Sequence, residues 1–306
     1  RDNQFGNPKE DAARRDFTIN AIYFDPRNEC IIDYVDGVTD IEQKRITAIG
    51  DPDISFREDP VRMLRAAKFA ALLDFQLHKS TLKAIRQHRG EMSKASSARL
   101  IEEYYKIFRT GQSLKVMKVF HETGLFRELF SEACQASDLA RHKEFEQSSI
   151  GKRFVIADQM LEERETLTTV VYLALILADL VKGVTASEAH NFKGNIQEYV
   201  RTKLLPACQR MNIAARDRER LIQIFMAQGR FAEQSRRSKT RPAVFRKKVF
   251  FYESFMFYKI NALAIGDNDA IQNAMFWEVG LRMSPPDPSR VVTTFFPKKR
   301  KRQNDG

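Results

Sequence analysis

Two short runs of this sequence bring acids and guanidiniums close enough to handle a charged small molecule. The first is Arg14-Arg15-Asp16-Phe17-Thr18-Ile19-Asn20-Ala21, where a polar turn enters a strand-like segment. Paired guanidiniums can clamp a phosphate through their forked N–H donors, and Asp16 can accept from a ribose hydroxyl. The plain alternative is a surface charge cluster in which Asp16 pairs with an arginine. The second run is Glu58-Asp59-Pro60-Val61-Arg62-Met63-Leu64-Arg65-Ala66-Ala67-Lys68. Pro is favoured at the first helical position, so Asp59 reads as a helix N-cap. Arg62 and Arg65 follow at spacings of three, and Asp59 and Arg62 can point into one cleft. An acceptor beside a donor matches the Watson–Crick edge of adenine, whose N6 amino group donates while N1 accepts. A carboxylate has two oxygens, so capping and base reading can coexist.

These residues need a scaffold, and the chain is long enough to supply one. It has 306 residues, 43% of them hydrophobic and 30% charged, which excludes a wholly disordered protein and predicts more than one module. Lys and Arg exceed Asp and Glu by 51 to 40, a formal net charge of +11. That excess favours polyanionic partners. The longest mostly apolar run, Leu167 to Val181, is interrupted by Thr168, Thr169 and Asp179 and reads as a buried helix, not a membrane span. Cys30, Cys134 and Cys208 are too few and too scattered for a disulfide framework, which suits a reducing cytoplasm. The chain starts at Arg1 and has no leader pattern, which predicts a piece of a longer protein.

Phe17 to Phe24 and Cys30 to Tyr34, rich in β-branched and aromatic residues, flank the Asp25-Pro26-Arg27-Asn28 turn and predict an antiparallel hairpin. A short helix from about Val38 to Arg45 follows. After Pro60 the apolar spacing is helical. Val61 to Leu73 is apolar on nearly every side and reads as a central buried helix. Further helices are expected from Ser96 or Ser97 to Arg109, from Ser113 to Glu122, and near 152–165, 166–181, 186–204, 214–228 and 243–264.

The ordered set Arg14 to Ala21, Asp33-Tyr34-Val35-Asp36-Gly37 with Asp40, Gly50-Asp51-Pro52 and Phe56 to Ala66 resembles successive motifs of the class II nucleotidyltransferases. These are the bacterial poly(A) polymerases and the tRNA CCA-adding enzymes, and the Pro after Asp59 and the basic C-terminal end look most like the poly(A) polymerase branch. The strong resemblance covers about residues 1–130. It implies a mainly α fold: a C-terminal β-hairpin remnant of a nucleotidyltransferase head domain, followed by an all-helical neck, body and tail. The corresponding divisions are 1–50, head remnant and hinge; 51–130, neck with base recognition; 131–283, body and tail; and 284–306, a flexible basic arm. It further implies that Arg14, Arg15 and Asp16 lie near triphosphate and ribose, that Asp59 and Arg62 contact the base, and that Arg65 and Lys68 are nearby. Position 68 is Lys where the family more often has Arg, so the planar fork is missing there. Gly37 suits a hinge bend.

The activity so implied is template-independent addition of AMP from ATP to RNA 3′ ends, with Mg²⁺ as cofactor. The alternatives are CCA addition to tRNA and noncatalytic RNA binding. The family's Asp-x-Asp metal ligands are expected upstream of this sequence, so the chain alone is expected to be inactive. Asp51-Pro52-Asp53 and Asp267-Asn268-Asp269 have the spelling but the wrong setting. RNA is expected on two basic stretches, Arg236, Arg237, Lys239 and Arg241 with Lys247 and Lys248, and Lys298, Lys299, Arg300, Lys301 and Arg302. The histidines, His78, His88, His121, His142 and His190, lack metal-site spacing and suit surface or capping roles. Phe245, Val249, Tyr252 and Met256, with Phe250, Phe251, Phe255 and Phe257 around them, read as core packing more than an RNA-stacking surface.

Overall fold

The computed structural model describes residues 7–182, 194–232 and 242–283. His190, Arg236, Arg237, Lys239, Arg241 and the basic arm 284–306, with Lys298 to Arg302, lie outside the described residues. The fold is mainly α, as its sequence predicts.

The chain opens with α1 (Pro8–Ala13), capped by Asn7, whose side chain accepts from the Glu10 N–H while Glu10 returns the bond. The hairpin follows as β1 (Ile22–Asp25) against β2 (Cys30–Asp33), antiparallel, with Ile22 opposite Asp33 and Asp25 opposite Cys30. The expected strand start at Phe17 is displaced. Thr18–Asn20 instead form a 3₁₀ turn, because the Thr18 N–H is taken by Thr47 O (3.1 Å) and its hydroxyl by Asp40 (2.6 Å). Tertiary partners here outweigh the strand propensity of Phe, Thr and Ile.

Next comes α2 (Gly37–Glu42), entered through Asp36 in the left-handed region, φ 62°. The bend expected at Gly37 thus falls one residue earlier. Gly37 serves closeness: a Cβ there would lie 2.3 Å from Thr18 O. A two-residue β3 (Arg45–Ile46) leads to α3 (Pro52–Glu58). Asp51 caps it by accepting from the Asp53 N–H at 2.9 Å, with Pro52 at its first position.

The central helix is α4 (Val61–Leu73), with Val61, Met63, Leu64, Ala66, Ala67, Ala70 and Ala71 all buried. Burying a side chain such as Leu64 is worth about 1.5–3 kcal/mol, and the small alanines let neighbouring helices approach closely. The chain continues through β4 (Gln76–Leu77), parallel to β3, then α5 (Lys79–His88), α6 (Ser97–Phe108), α7 (Ser113–Thr123), α8 (Leu125–Leu129) and α9 (Ser131–Ala136). Helix α7 ends at Gly124, φ 83°, in the conformation glycine adopts most cheaply. Both α6 and α7 pack on α4, and α5 packs on α3.

The second half comprises α10 (Ser149–Glu162), α11 (Thr169–Leu177), α12 (Ile196–Arg210), α13 (Ala215–Met226), α14 (Gln228–Ala232), α15 (Pro242–Arg246), α16 (Phe251–Ile265) and α17 (Asn268–Met283). Every residue of α11 is buried, as its mostly apolar run predicts. The single helix expected at 243–264 is broken between α15 and α16, which leaves Val249 88% exposed. Phe245, Phe251, Phe255, Met256 and Phe257 are buried, and Phe245 and Phe251 pack around Phe231 and Trp277. One contiguous body of buried apolar side chains runs from Phe17 to Trp277. No helix among the described residues is long and apolar enough to cross a membrane.

Candidate nucleotide site

The junction between α3 and α4 gathers charge from three separate parts of the chain. Asp59 terminates α3, its N–H bonded to Ser55 O, and its side chain makes no capping bond to α4. This corrects the N-cap expectation. The Asp59 carboxylate is instead gripped by Arg99 of α6 (Nη2 to Oδ2, 2.5 Å) and lies 3.7 Å from Arg62 Nε. Arg62 also meets Asp16 Oδ1 at 2.9 Å and donates to Ser55 Oγ at 2.8 Å. Arg65, one turn further, reaches Asp16 Oδ2 at 2.5 Å.

Asp16, Asp59, Arg62, Arg65 and Arg99 therefore form one network of two carboxylates and three guanidiniums. The acids are the more enclosed members, with side chains of Asp16 and Asp59 9% and 12% exposed, whereas Arg99 is 51% exposed. Asp16 is indeed paired with arginine, but with two arginines almost fifty residues away and neither of its sequence neighbours. Every member already has a partner within the fold. A ligand entering here would exchange bonds with the network.

The phosphate clamp read from Arg14 and Arg15 is not assembled. Arg15 is bound to Asp11 at 3.0 Å, donates to Asn20 O at 2.8 Å and lies over the Tyr23 ring. Hydrogen bonds from Tyr23 and Arg15 hold the Asp11 carboxyl below the ordinary range. Arg14 is exposed at the end of α1. Lys68 is the other departure. It is buried, its ammonium 2.8 Å from Glu103 Oε2 and above the Phe69 ring, so it joins α4 to α6 and leaves the network. Glu103 also takes Lys106. Burial pushes the Glu103 carboxyl up, but the bonds from Lys68 and Lys106 bring it below the usual value. Lys247 and Lys248 are exposed in the turn after α15.

Arg99 as the partner of Asp59, and Ser55 as the support of Arg62, were missed from sequence. Arg99 lies forty residues from Asp59, on a separate helix. Both Asp-x-Asp spellings are helix starts. Asp51 caps α3 while Asp53 meets His88 at 2.8 Å, and Asp267 accepts from the Ala270 N–H at the head of α17. Among the described residues no three of His, Cys, Asp and Glu converge as metal ligands, so the Mg²⁺ that the resemblance implies finds no fitting set in them.

Residues 1–47 match the family model for the "Poly A polymerase head domain", and residues 74–137 that for the "Probable RNA and SrmB- binding site of polymerase A". Poly(A) polymerase I of Haemophilus influenzae is 41% identical over 130 residues, 42% of this chain and 29% of that protein. The CCA-adding enzyme of Pediococcus pentosaceus is 46% identical over 99 residues, 32% of this chain and 25% of that protein. The matched part thus spans less than a third of these relatives. A tRNA nucleotidyltransferase complexed with a primer tRNA and an incoming ATP analog superposes with a TM-score of 0.59 at 22% identity, over 92% of this chain and 76% of that one. The fold is that of the tRNA nucleotidyltransferases. The matched segments are similar to the corresponding parts of poly(A) polymerases and CCA-adding enzymes.

Proposed function

We propose that this chain is the nucleotide-selecting and RNA-holding part of a template-independent RNA nucleotidyltransferase that adds AMP from ATP to RNA 3′ ends. The observation that carries the proposal is the Asp59–Arg62 pair at the start of α4, held on either side by Arg99 and Asp16. Asp59 accepts from an exocyclic amino group, and Arg62 donates to the adjacent ring nitrogen. Arg65 and Asp16 face the sugar and phosphates, with Arg14 and Arg15 recruited when Arg15 leaves Asp11. Lys247 and Lys248, with the basic stretches outside the described residues, take RNA. Residues 1–50, 51–130 and 131–283 divide these tasks within one continuous core.

CCA addition is the second reading, favoured by the similarity to CCA-adding enzymes and by base chemistry. Cytosine also presents an amino donor beside a ring acceptor, so the same pair accepts adenine and cytosine while rejecting guanine and uracil. Incubating the full-length protein with RNA and either ATP alone or ATP with CTP tests the choice. Long adenylate tails from ATP alone support polyadenylation; CTP incorporation ending at CCA overturns it.

Asp59→Ala is expected to reduce discrimination between ATP and GTP by tenfold or more, since a good two-point base contact is worth about 1–3 kcal/mol. RNA affinity should change little. Competition binding with both nucleotides measures this, and a folded variant with unaltered selectivity refutes the base-reading role.

A further inference from the structure

Helix α17 is apolar on both sides. Its inner face, Ala270, Ala274 and Trp277, is buried where the helix packs on α14 and α16, and the Trp277 indole N–H donates to Phe231 O at 3.3 Å. Half a turn round the axis, at spacings of three and four, stand Gln272, Met275, Phe276 and Val279. The three apolar members are 46–60% exposed. None of the four carries charge, in a chain whose residues are 30% charged. The outward side of α12, by contrast, presents Arg201, Lys203 and Arg210. A single exposed apolar residue needs no explanation, but three adjoining ones on one helix mark a surface that something covers.

The chain itself carries a fitting cover. Helix α17 ends at Met283, and the sequence goes on as Ser284-Pro285-Pro286-Asp287-Pro288, then Val291-Val292-Thr293-Thr294-Phe295-Phe296, then the cations at 298–302. Pro285 and Pro286 cannot prolong the helix, and the Pro-Asp-Pro run favours a turn, so the chain can reverse at once. Residues 291–296 are β-branched or aromatic and uncharged, a composition suited to extended backbone. The lengths agree as well. The sixteen residues of α17 cover about 24 Å, and an extended run from Val291 to Lys298 covers about 23 Å. Laid antiparallel on the helix with Val291 level with Met283, the segment brings Phe295 level with Met275. Lys298 then reaches the head of α17, where Asp267 and Asp269 supply carboxylates.

Other occupants suit the face less well. Three side chains fall far short of the roughly 1,200–2,000 Å² that stable partners bury, which argues against a second copy. A helix lying in a membrane surface wants Lys and Arg beside its apolar stripe, whereas α17 has Asp269 and Glu278 to one Arg282. A tethered segment needs little intrinsic affinity, because a short linker holds it at about millimolar effective concentration. We propose that residues 291–296 dock in extended form on Met275, Phe276 and Val279, and so moor the basic cluster 298–302 at the head of α17. The docking holds whichever reaction the protein performs.

The test is photo-crosslinking in the full chain, with Phe296→p-benzoylphenylalanine as the probe and mass spectrometry as the readout, on a mixture of isotopically light and heavy chains. Crosslinks should fall within residues 268–279 of the same molecule. Met275→Ser/Phe276→Ser/Val279→Ser should cut that yield at least about fivefold, since it removes most of the apolar area that holds the segment. The thermal transition should persist, because the three side chains are exposed. Val291→Ser/Val292→Ser/Phe295→Ser makes the same cut from the other side and leaves every described residue unaltered. Light-to-heavy crosslinks at this face assign it to a second copy and overturn the docking. Crosslinks confined to other parts of the chain overturn it too, as does an undiminished yield in either triple variant or the absence of any crosslink.

Discussion

Arg153→Ala should cost about 3–5 kcal/mol of unfolding free energy, because it strips the counter-ion from a buried carboxylate. Arg153 of α10 donates to both oxygens of Asp179 at 2.9 Å, to Leu175 O at 3.2 Å and to Asn261 Oδ1 of α16 at 2.9 Å. Ser149 adds a bond to Asp179 at 2.8 Å. One side chain thus ties three segments together, with Arg153 and Asp179 side chains only 4% and 8% exposed. Removing both charges with Arg153→Met/Asp179→Leu should recover part of the loss, since a paired burial costs desolvation on both sides. Urea denaturation measures both variants, and an Arg153→Ala protein as stable as the parent would sink the account.

The same pair sets an acid dependence. Burial pushes the Asp179 carboxyl up, but the bonds and charge of Arg153, with Ser149, bring it net below its ordinary 3.8. A carboxylate with a lowered folded pKa contributes stability that is complete above its unfolded pKa and is lost as pH falls through the folded value. The stability gap between parent and Arg153→Ala should therefore be widest near neutrality and narrow below about pH 4. A gap constant from pH 7 down to the acid transition would show that the ion pair is not its source.

Gly37→Ala should disturb both stability and ligand binding. The added Cβ would lie 2.3 Å from Thr18 O and 2.9 Å from Ile22 Cγ1, and the nearer obstacle is backbone, which cannot rotate away. Overpacking of this kind costs about 1–3 kcal/mol and sometimes more. The strain falls on the 3₁₀ turn that follows Asp16, so the acid linking Arg62 to Arg65 should shift with it. Nucleotide affinity is expected to drop at least tenfold, roughly 1.4 kcal/mol. Gly90→Ala is the control: nothing lies within 4 Å of the new methyl, and stability should stay within about 0.5 kcal/mol. Gly37→Ala with unchanged stability and affinity would contradict the close-approach argument.

Local pattern carried much of this molecule. The Pro-Asn turn between β-branched runs marked the hairpin, the all-round apolar character of 61–73 marked α4, and the mostly apolar run from Leu167 to Val181 marked α11. The Phe-rich stretch at 245–257 was legible as core because so much aromatic surface is costly to leave in water. What escaped was decided by partners distant in sequence. Asp59 has the composition of a cap, and only the arrival of Arg99 forty residues later turns its carboxylate elsewhere. Arg15 and Asp16 are adjacent yet have different partners, Asp11 and the α4 arginines. Lys68 looks like a ligand group in sequence and becomes an internal strut because Glu103 is packed against it. The break before α16 falls at the Lys-Lys-Val turn, whose polar pair interrupts the apolar spacing.

The unbroken core has an evolutionary consequence. Since buried side chains connect Phe17 to Trp277 without a seam, the distal helices cannot be exchanged like beads on a string for another helical module. Any swap would open an apolar wound in the partner left behind. Descendants of such a protein should diversify by altering exposed charges while keeping the helices together as one inherited block.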